Sequence, residues 1–191
     1  VKYKKAISLN DNFPEAYNNL GILMEIFGRL EESEKYLRKA VSIRPEYIDA
    51  HFNLGNTLQS LGKSNEAEMC YIKSIELEPQ NANAYNNLGS LLRELRRLEE
   101  SVTFTKKAIK ISPNSIEFYS NLGNTLQDLG RTDEALDSYK KAISLNKKDH
   151  KALSGIGRVF LKKGKHKEAL IKLKEGNGFI SFDIERGLSI Q

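Results

Sequence analysis

A single cysteine, no tryptophan and only four prolines stand in this 191-residue chain. Cys70 alone cannot close an internal disulfide, so nothing points to an oxidising compartment, and a cytoplasmic location is the expectation. No apolar run approaches the roughly 18 residues that suggest a membrane span, and the opening VKYKKAISLN holds no apolar signal-peptide core. No membrane contact is expected. With 39% hydrophobic and 29% charged residues, the composition is that of a folded protein and not of a disordered or fibrous one.

Catalytic groupings are missing too. His51, His150 and His166 fall at unrelated phases of the pattern described below, and Cys70 has no metal-ligand spacing with any of them, so neither a zinc site nor a Cys–His pair is indicated. The SGIG at Ser154 to Gly157 is not a phosphate loop, because no strand precedes it. The chain is therefore read as a non-enzyme with no cofactor and no metal.

What is present is repetition. Gly21, Gly55, Gly89, Gly123 and Gly157 stand at an unbroken period of 34 residues, and AYNNLG at Ala16 to Gly21 returns at Ala84 to Gly89. Each period splits into two amphipathic segments joined by a short break, as in FYSNLGNTLQDLG followed by RTDEALDSYKKAISLN. The breaks carry Gly28, Gly62, Gly130 and Gly164, suited to a left-handed helix cap, with Arg96 at the equivalent place in the third unit. Pro45, Pro79 and Pro113 fall between units, where they end a helix. Each unit is a helical hairpin. A helix-interior glycine costs roughly 1 kcal/mol against alanine, so five in register need close helix–helix approach, with Ala67, Ala135 and Ala169 as the expected small partners.

These residues resemble the tetratricopeptide repeat family over about residues 1 to 175. Its pattern is met by Tyr85, Leu88-Gly89, Ala108 and Pro113, and by Ala135, Tyr139 and Ala142. His51 and Leu153 depart from it before the glycine, Ser33 and Ser101 replace the small alanine, and Lys147 replaces the proline. The resemblance implies an all-α fold, a right-handed superhelical solenoid of antiparallel helix hairpins. The expected divisions are 1–12 (second helix of a truncated repeat), 13–46, 47–80, 81–114, 115–148, an incomplete fifth repeat at 149–175, and a non-repeat tail at 176–191. Because YKKAISLN at Tyr3 to Asn10 recurs at Tyr139 to Asn146, within a second helix, the chain opens in mid-repeat and upstream sequence is expected. Ala6, Ile7 and Leu9 should then be exposed or covered by another copy. The tail fits a short strand or a helical cap; Phe179 with Phe182 on one helical face is as compatible as an alternation with Ile180 and Ile184.

Two places before each glycine stand Asn19, Asn53, Asn87 and Asn121, about 200 degrees round from the glycine and so on the inner face of the curve. Asn56 and Asn124 follow the glycine by one residue, Gln59 and Gln127 by four. Asparagine is a poor helix former, so its return in four helix interiors opposes local propensity. Two readings account for it. The amides bond between helices and hold the stack together, or they pair with the donors and acceptors of an extended peptide backbone. The second resembles the repeat arm of O-linked N-acetylglucosamine transferase, where inner-face asparagines contact peptide; the matches are Asn19, Asn53, Asn87 and Asn121, and Gly155 ends the line. The lysine–arginine carboxylate clamp of chaperone-binding members is largely absent, since its places hold mainly Asn18, Phe52, Asn86, Asp49 and Asn83.

Charge is lopsided. Between Lys140 and Glu175 twelve Lys or Arg face three Asp or Glu, a net of +9, which leaves −4 for the rest of a chain whose total is +5. A solvated face is the plain reading, an acidic partner segment the next, and nucleic acid is unlikely without aromatic platforms or groove-reading motifs. The expected function is a protein–protein interaction module holding an extended polypeptide in its concave groove, as the recruiting arm of a longer protein or alone; the alternative is a scaffold that self-associates through repeat ends.

Overall fold

The structure, a computed structural model, describes residues 2–177, 181–183 and 187–189. Eleven helices occupy the described residues: α1 (Lys2–Leu9), α2 (Pro14–Ile26), α3 (Leu30–Ile43), α4 (Ile48–Ser60), α5 (Ser64–Leu77), α6 (Ala82–Glu94), α7 (Leu98–Ile111), α8 (Ile116–Asp128), α9 (Thr132–Leu145), α10 (His150–Lys162) and α11 (His166–Asn177). No strand interrupts residues 2–177. In the tail, β1 (Ser181–Asp183) pairs antiparallel with β2 (Gly187–Ser189), Phe182 opposite Leu188. Of the two readings of the tail the strand stands for these residues, while Phe179, Ile180 and Ile184 lie outside the described ones.

Helix boundaries follow local chemistry. Second helices open with carboxylates in the first turn, Glu31 and Glu32 in α3, Glu99 and Glu100 in α7, Asp133 and Glu134 in α9, where the helix dipole favours negative charge. First helices end at residues with φ between 71° and 76°, Gly28, Gly62, Gly130 and Gly164, and Arg96 takes the same left-handed turn at φ 62° without the freedom of glycine.

Contacts divide the chain into two compact units, Val1–Leu91 and Leu92–Gln191, with the division inside α6. In the first unit α2 pairs with α3 and α4 with α5, the second helix α3 packs on α4, and the first helices α2 and α4 touch side by side. In the second, α8 pairs with α9 and α10 with α11, α7 and α9 flank α8 and α10, and α8 touches α10. Each unit thus presents a surface built of first helices.

The cores are formed by the apolar faces of the paired helices. Leu37, Ala40, Ala50, Leu58 and Tyr71 are fully buried in the first unit, and Leu126, Ala135, Tyr139, Ala142, Ala152 and Val159 are buried in the second. The glycines do allow close approach, but not mainly to the alanines. A Cβ at Gly21 would collide with Leu37 and one at Gly157 with Leu173, while at Gly55 it would lie 2.7 Å from Tyr71 Cε1. The partner is the residue 16 places on, because that side chain lies over the glycine, whereas Ala67, Ala135 and Ala169 fill buried places of their own.

The two serine departures have a partner. Ser33 Oγ lies 3.0 Å from Thr57 Oγ1, and Ser101 Oγ lies 3.0 Å from Thr125 Oγ1, both pairs buried. Threonine stands at this place only after Gly55 and Gly123, so a hydroxyl on one hairpin meets a hydroxyl on the next. At the same 24-residue separation, Ala135 and Val159 share the apolar core of the second unit.

Candidate amide and cation site on the first helices

The sequence NLGNTLQ occurs twice, at Asn53 to Gln59 on α4 and at Asn121 to Gln127 on α8, and each copy is followed 15 residues after its second asparagine by a tyrosine. Those tyrosines, Tyr71 and Tyr139, have rings of 0% exposure and hydroxyls that reach back to the amides. Tyr71 Oη lies 2.9 Å from Asn56 Oδ1 and 2.8 Å from Gln59 Oε1; Tyr139 Oη lies 2.8 Å from Asn124 Oδ1 and 3.1 Å from Gln127 Oε1. Each hydroxyl donates its one proton to this pair of carbonyl oxygens. Burial pushes the Tyr139 phenol above its usual range, which keeps that proton in place at neutral pH.

A second donor reaches the oxygens of Asn56, Asn124 and Gln127. In the first unit Asn87 Nδ2 donates to Asn56 Oδ1 at 2.8 Å, and Asn53 Nδ2 donates to Asn18 Oδ1 at 3.0 Å. In the second, Arg158 Nη2 donates to Asn124 Oδ1 at 3.3 Å and Nε to Gln127 Oε1 at 3.5 Å. Arginine has donors only, so the amide atoms that face it are oxygens, and the orientation of both side chains follows. With its oxygen turned inward, Asn124 keeps its two N–H groups for whatever lies over the helix surface. Asn56 is placed alike.

The eight predicted residues are thus distributed as follows. Asn19, Asn53, Asn56, Gln59, Asn87, Asn121 and Asn124 are half-buried, and Gln127 is buried at 9% exposure. Asn53, Asn56 and Asn87 belong to bonds between first helices in one unit, Asn124 and Gln127 to a cluster in the other. Sequence reasoning passed over Tyr71 and Arg158 and took Tyr139 only as a residue of the repeat pattern, although the 68-residue recurrence of Asn-Thr-x-Gln with a following tyrosine was there to be read. It also took Gly155 for a mere gap in the asparagine line. A Cβ there would sit 2.5 Å from Tyr139 Cε1, as would one at Gly123, so the ring is held between two glycines.

Beside Arg158 lies a hollow of about 280 Å³, lined by Asn124, His150, Lys151, Ser154, Arg158 and Gly176. His150 Nδ1 lies 3.0 Å from the Gly176 carbonyl, and Gly176 leaves room for Ser154. Asp149, the nearest carboxylate in sequence, is turned to the helix end, accepting from Ala152 N at 2.7 Å and from Ser120 Oγ at 3.2 Å. Elsewhere, a hollow of about 660 Å³ between α3, α4 and α5 is lined by Val41, Leu54, Met69, Cys70 and Ile72 and holds no predicted residue. Burial pushes the Cys70 thiol up to about 11, so it carries little thiolate at neutral pH. No group of three or more His, Cys, Asp or Glu able to hold a metal occurs among the described residues. Nor is any helix among them long and apolar enough to cross a membrane.

Family profiles described as Tetratricopeptide repeat match residues 80–148 and 114–176, 48–81, and 2–35. The chain belongs to the tetratricopeptide repeat family. Its fold is the all-α solenoid type built of antiparallel hairpins. Solved tetratricopeptide proteins share it: a structure described as functional characterisation of Pseudomonas aeruginosa PilF, at 24% identity and TM-score 0.79 over 89% of this chain and 78% of that one. YrrB, described as a TPR protein with an unusual peptide-binding site, is similar at 22% identity and TM-score 0.72, over 92% of this chain and 91% of its own. MamA from Desulfovibrio magneticus RS-1 is similar at 19% identity and TM-score 0.77, over 86% and 93%. No curated protein matches the chain by sequence.

Proposed function

We propose that this tetratricopeptide chain is a protein-interaction module that takes an extended polypeptide along its first-helix surface, with no catalytic role for its own residues. The observation that carries the reading is the orientation of Asn56 and Asn124: their oxygens are held by tyrosine and a second donor from within the fold, which leaves N–H groups facing outward. Such groups suit the carbonyl oxygens of a peptide main chain and read no side chain. Asn19, Asn53, Gln59, Asn87 and Asn121 extend the polar surface, and their half-burial is compatible with both bonding between helices and one further bond to a ligand, while Gln127 is buried beneath it. The peptide-binding site named for the structurally similar YrrB lends the reading support at the level of fold.

The test is selection of random-sequence peptides on the full chain by display, followed by titration of a selected peptide into protein with labelled side-chain amides. The NH₂ resonance of Asn56 or of Asn124 should shift saturably, according to the unit that takes the peptide. Selected peptides that leave both unmoved would place binding elsewhere and remove this site.

A second reading, self-association as a scaffold, rests on exposed apolar side chains: Leu9 at 79%, Ile26 at 73% and Phe27 at 65%. Ile7 is half-covered by the cluster around Tyr17, and the side chain of Ala6 lies outside the described ones. Light scattering across a concentration series decides it; a strict monomer at high concentration removes the scaffold.

A further inference from the structure

We propose that the hollow between α3, α4 and α5 is a docking groove for an amphipathic helix of a partner protein, with the apolar stripe of that helix in the hollow and acidic side chains on its flank. The site is separate from the amide surface. His51 and Leu54, which α4 contributes to the hollow, lie about 200 degrees round the helix from Asn53 and Asn56.

The first observation is where the repeat departs from itself. At the place of Ile72 the other repeats carry cations, Arg38, Lys106, Lys140 and Lys174. Met69 stands where the first, third and fourth repeats have Lys35, Thr103 and Asp137, and Cys70 stands where the first and third have the rings of Tyr36 and Phe104. All three departures line one hollow of about 660 Å³, floored by Val41 and Leu54. The small Cys70 leaves the space open, and Met69 and Ile72, at 69% and 39% exposure, form an apolar lip. The fourth repeat, where Ser138 is also small, sets the ion pair of Lys140 and Asp137 beside it instead.

Shape is the second observation. Helices α3 and α5 are each 14 residues long, about 21 Å, and a trough between two helices over a third accepts side chains spaced three and four apart on a docking helix. Methionine at the lip adapts to irregular apolar partners. A bilayer favours apolar side chains that project from a surface, whereas Val41, Leu54 and Cys70 form a recess.

The third is charge. Along the crest of α3, Arg38 is bound by Glu34 and Glu66, but the ammonium groups of Lys35 and Lys39 have no carboxylate partner among the described residues. On the opposite rim Lys73 and Glu76 pair with each other at 3.4 Å. A second hollow, of about 570 Å³ against Ile7, Tyr17 and Tyr36, is edged by the same Lys35, Arg38 and Lys39. The crest thus carries two uncompensated positive charges beside apolar ground, which favours an acidic flank over a basic one.

The probe is a displayed library of alanine-based helices of about 14 residues with one face randomised, selected on the full chain and counter-selected on Cys70→Phe, which refills the hollow with the ring of the third repeat. The enriched helices should carry apolar residues at i, i+3 or i+4, and i+7, with glutamate or aspartate beside them. A synthesised winner should lose at least tenfold in affinity to Cys70→Phe and to Ile72→Lys, each of which introduces a residue that other repeats carry and should retain helicity and melting temperature. Lys35→Gln combined with Lys39→Gln should cost threefold or more and shrink the salt dependence of binding. Alkylation of Cys70, the single cysteine, should slow at least fivefold when the helix is bound. Asn56→Asp should leave this affinity unchanged, so the groove and the amide surface fail independently. The groove is overturned if no enriched helix distinguishes the parent from Cys70→Phe, or if the winners are basic or bind Ile72→Lys equally well. Two other occupants would overturn it as well: a concentration-dependent dimer that Ile72→Lys dissolves assigns the groove to a second copy, and sedimentation with anionic vesicles that the same variant abolishes assigns it to a membrane.

Discussion

The second and fourth repeats carry the same seven letters and the same tyrosine, yet their clusters are finished differently. At Tyr71 the amide oxygen of Asn56 receives its second bond from the neutral Asn87, one first helix further along. At Tyr139 the equivalent oxygen of Asn124 receives it from the cation Arg158, because Gly155 stands where Asn87 would be and the next turn supplies a longer side chain. A shared cradle is therefore completed by a neutral amide in one repeat and by a cation in the other, through one residue on the neighbouring helix.

The sharpest way to break this comparison is to remove the gap that the fourth repeat depends on. Gly155→Ala would drive a Cβ to within 2.5 Å of the Tyr139 ring, and overpacking of this kind costs about 1 to 3 kcal/mol, outweighing the gain in helix propensity. Chemical denaturation measures it; an alanine that stabilises would show that the ring moves freely and that Gly155 is not required.

Next in size is the buried hydroxyl pair. Thr125→Val leaves Ser101 Oγ without its partner in a buried place and should cost about 1 to 2 kcal/mol, whereas Ser101→Ala costs less, because Thr125 Oγ1 still donates to the Asn121 carbonyl at 3.1 Å. The double variant reproduces the apolar pairing of Ala135 with Val159 and should be more stable than the sum of the two changes. Strict additivity, measured in the same denaturation cycle, would mean that the hydroxyls do not interact.

Arg96→Gly should add about 0.5 to 1 kcal/mol, since an L-residue is held there at φ 62° where the other turns have glycine. A lower melting temperature would contradict this.

The smallest effect is a pH dependence at Glu25. Burial raises its folded-state pKa, opposed by the hydroxyl of Thr57, so the folded state binds the proton more tightly than the unfolded one. Stability therefore falls as pH rises from the unfolded carboxylate range through the folded-state value. Glu25→Gln should be more stable than the parent at pH 7, with the advantage disappearing below the ordinary carboxylate range. A gain that persists in acid would assign the effect to packing.

Much of this was legible in the letters, for reasons that differ by residue. The 34-residue glycine spacing and the breaks at Gly28, Gly62, Gly130 and Gly164 are constraints of single backbone positions, so they show in a single sequence; even Arg96 could be assigned its turn by phase. Tyr71, Tyr139 and the Ser33–Thr57 pair were missed because their meaning depends on two residues from different hairpins, and a 34-residue alignment averages away a feature that returns every 68. Arg158 was hidden inside a charge count. Its separation from the other cations is a matter of where Asp149 turns and how Asn124 faces, which only coordinates supply.

The central claim, that outward N–H groups hold the ligand while inward oxygens hold the fold, is tested most directly by Asn56→Asp combined with Asn124→Asp. The carboxylate keeps an oxygen for each tyrosine hydroxyl and replaces the outward N–H₂ by an acceptor of the same shape. Calorimetry with a display-selected peptide should show affinity falling at least tenfold, about 1.4 kcal/mol or more, while the melting temperature stays within about 3 °C of the parent. Unchanged affinity at unchanged stability would contradict the account and leave these amides to their bonds between helices.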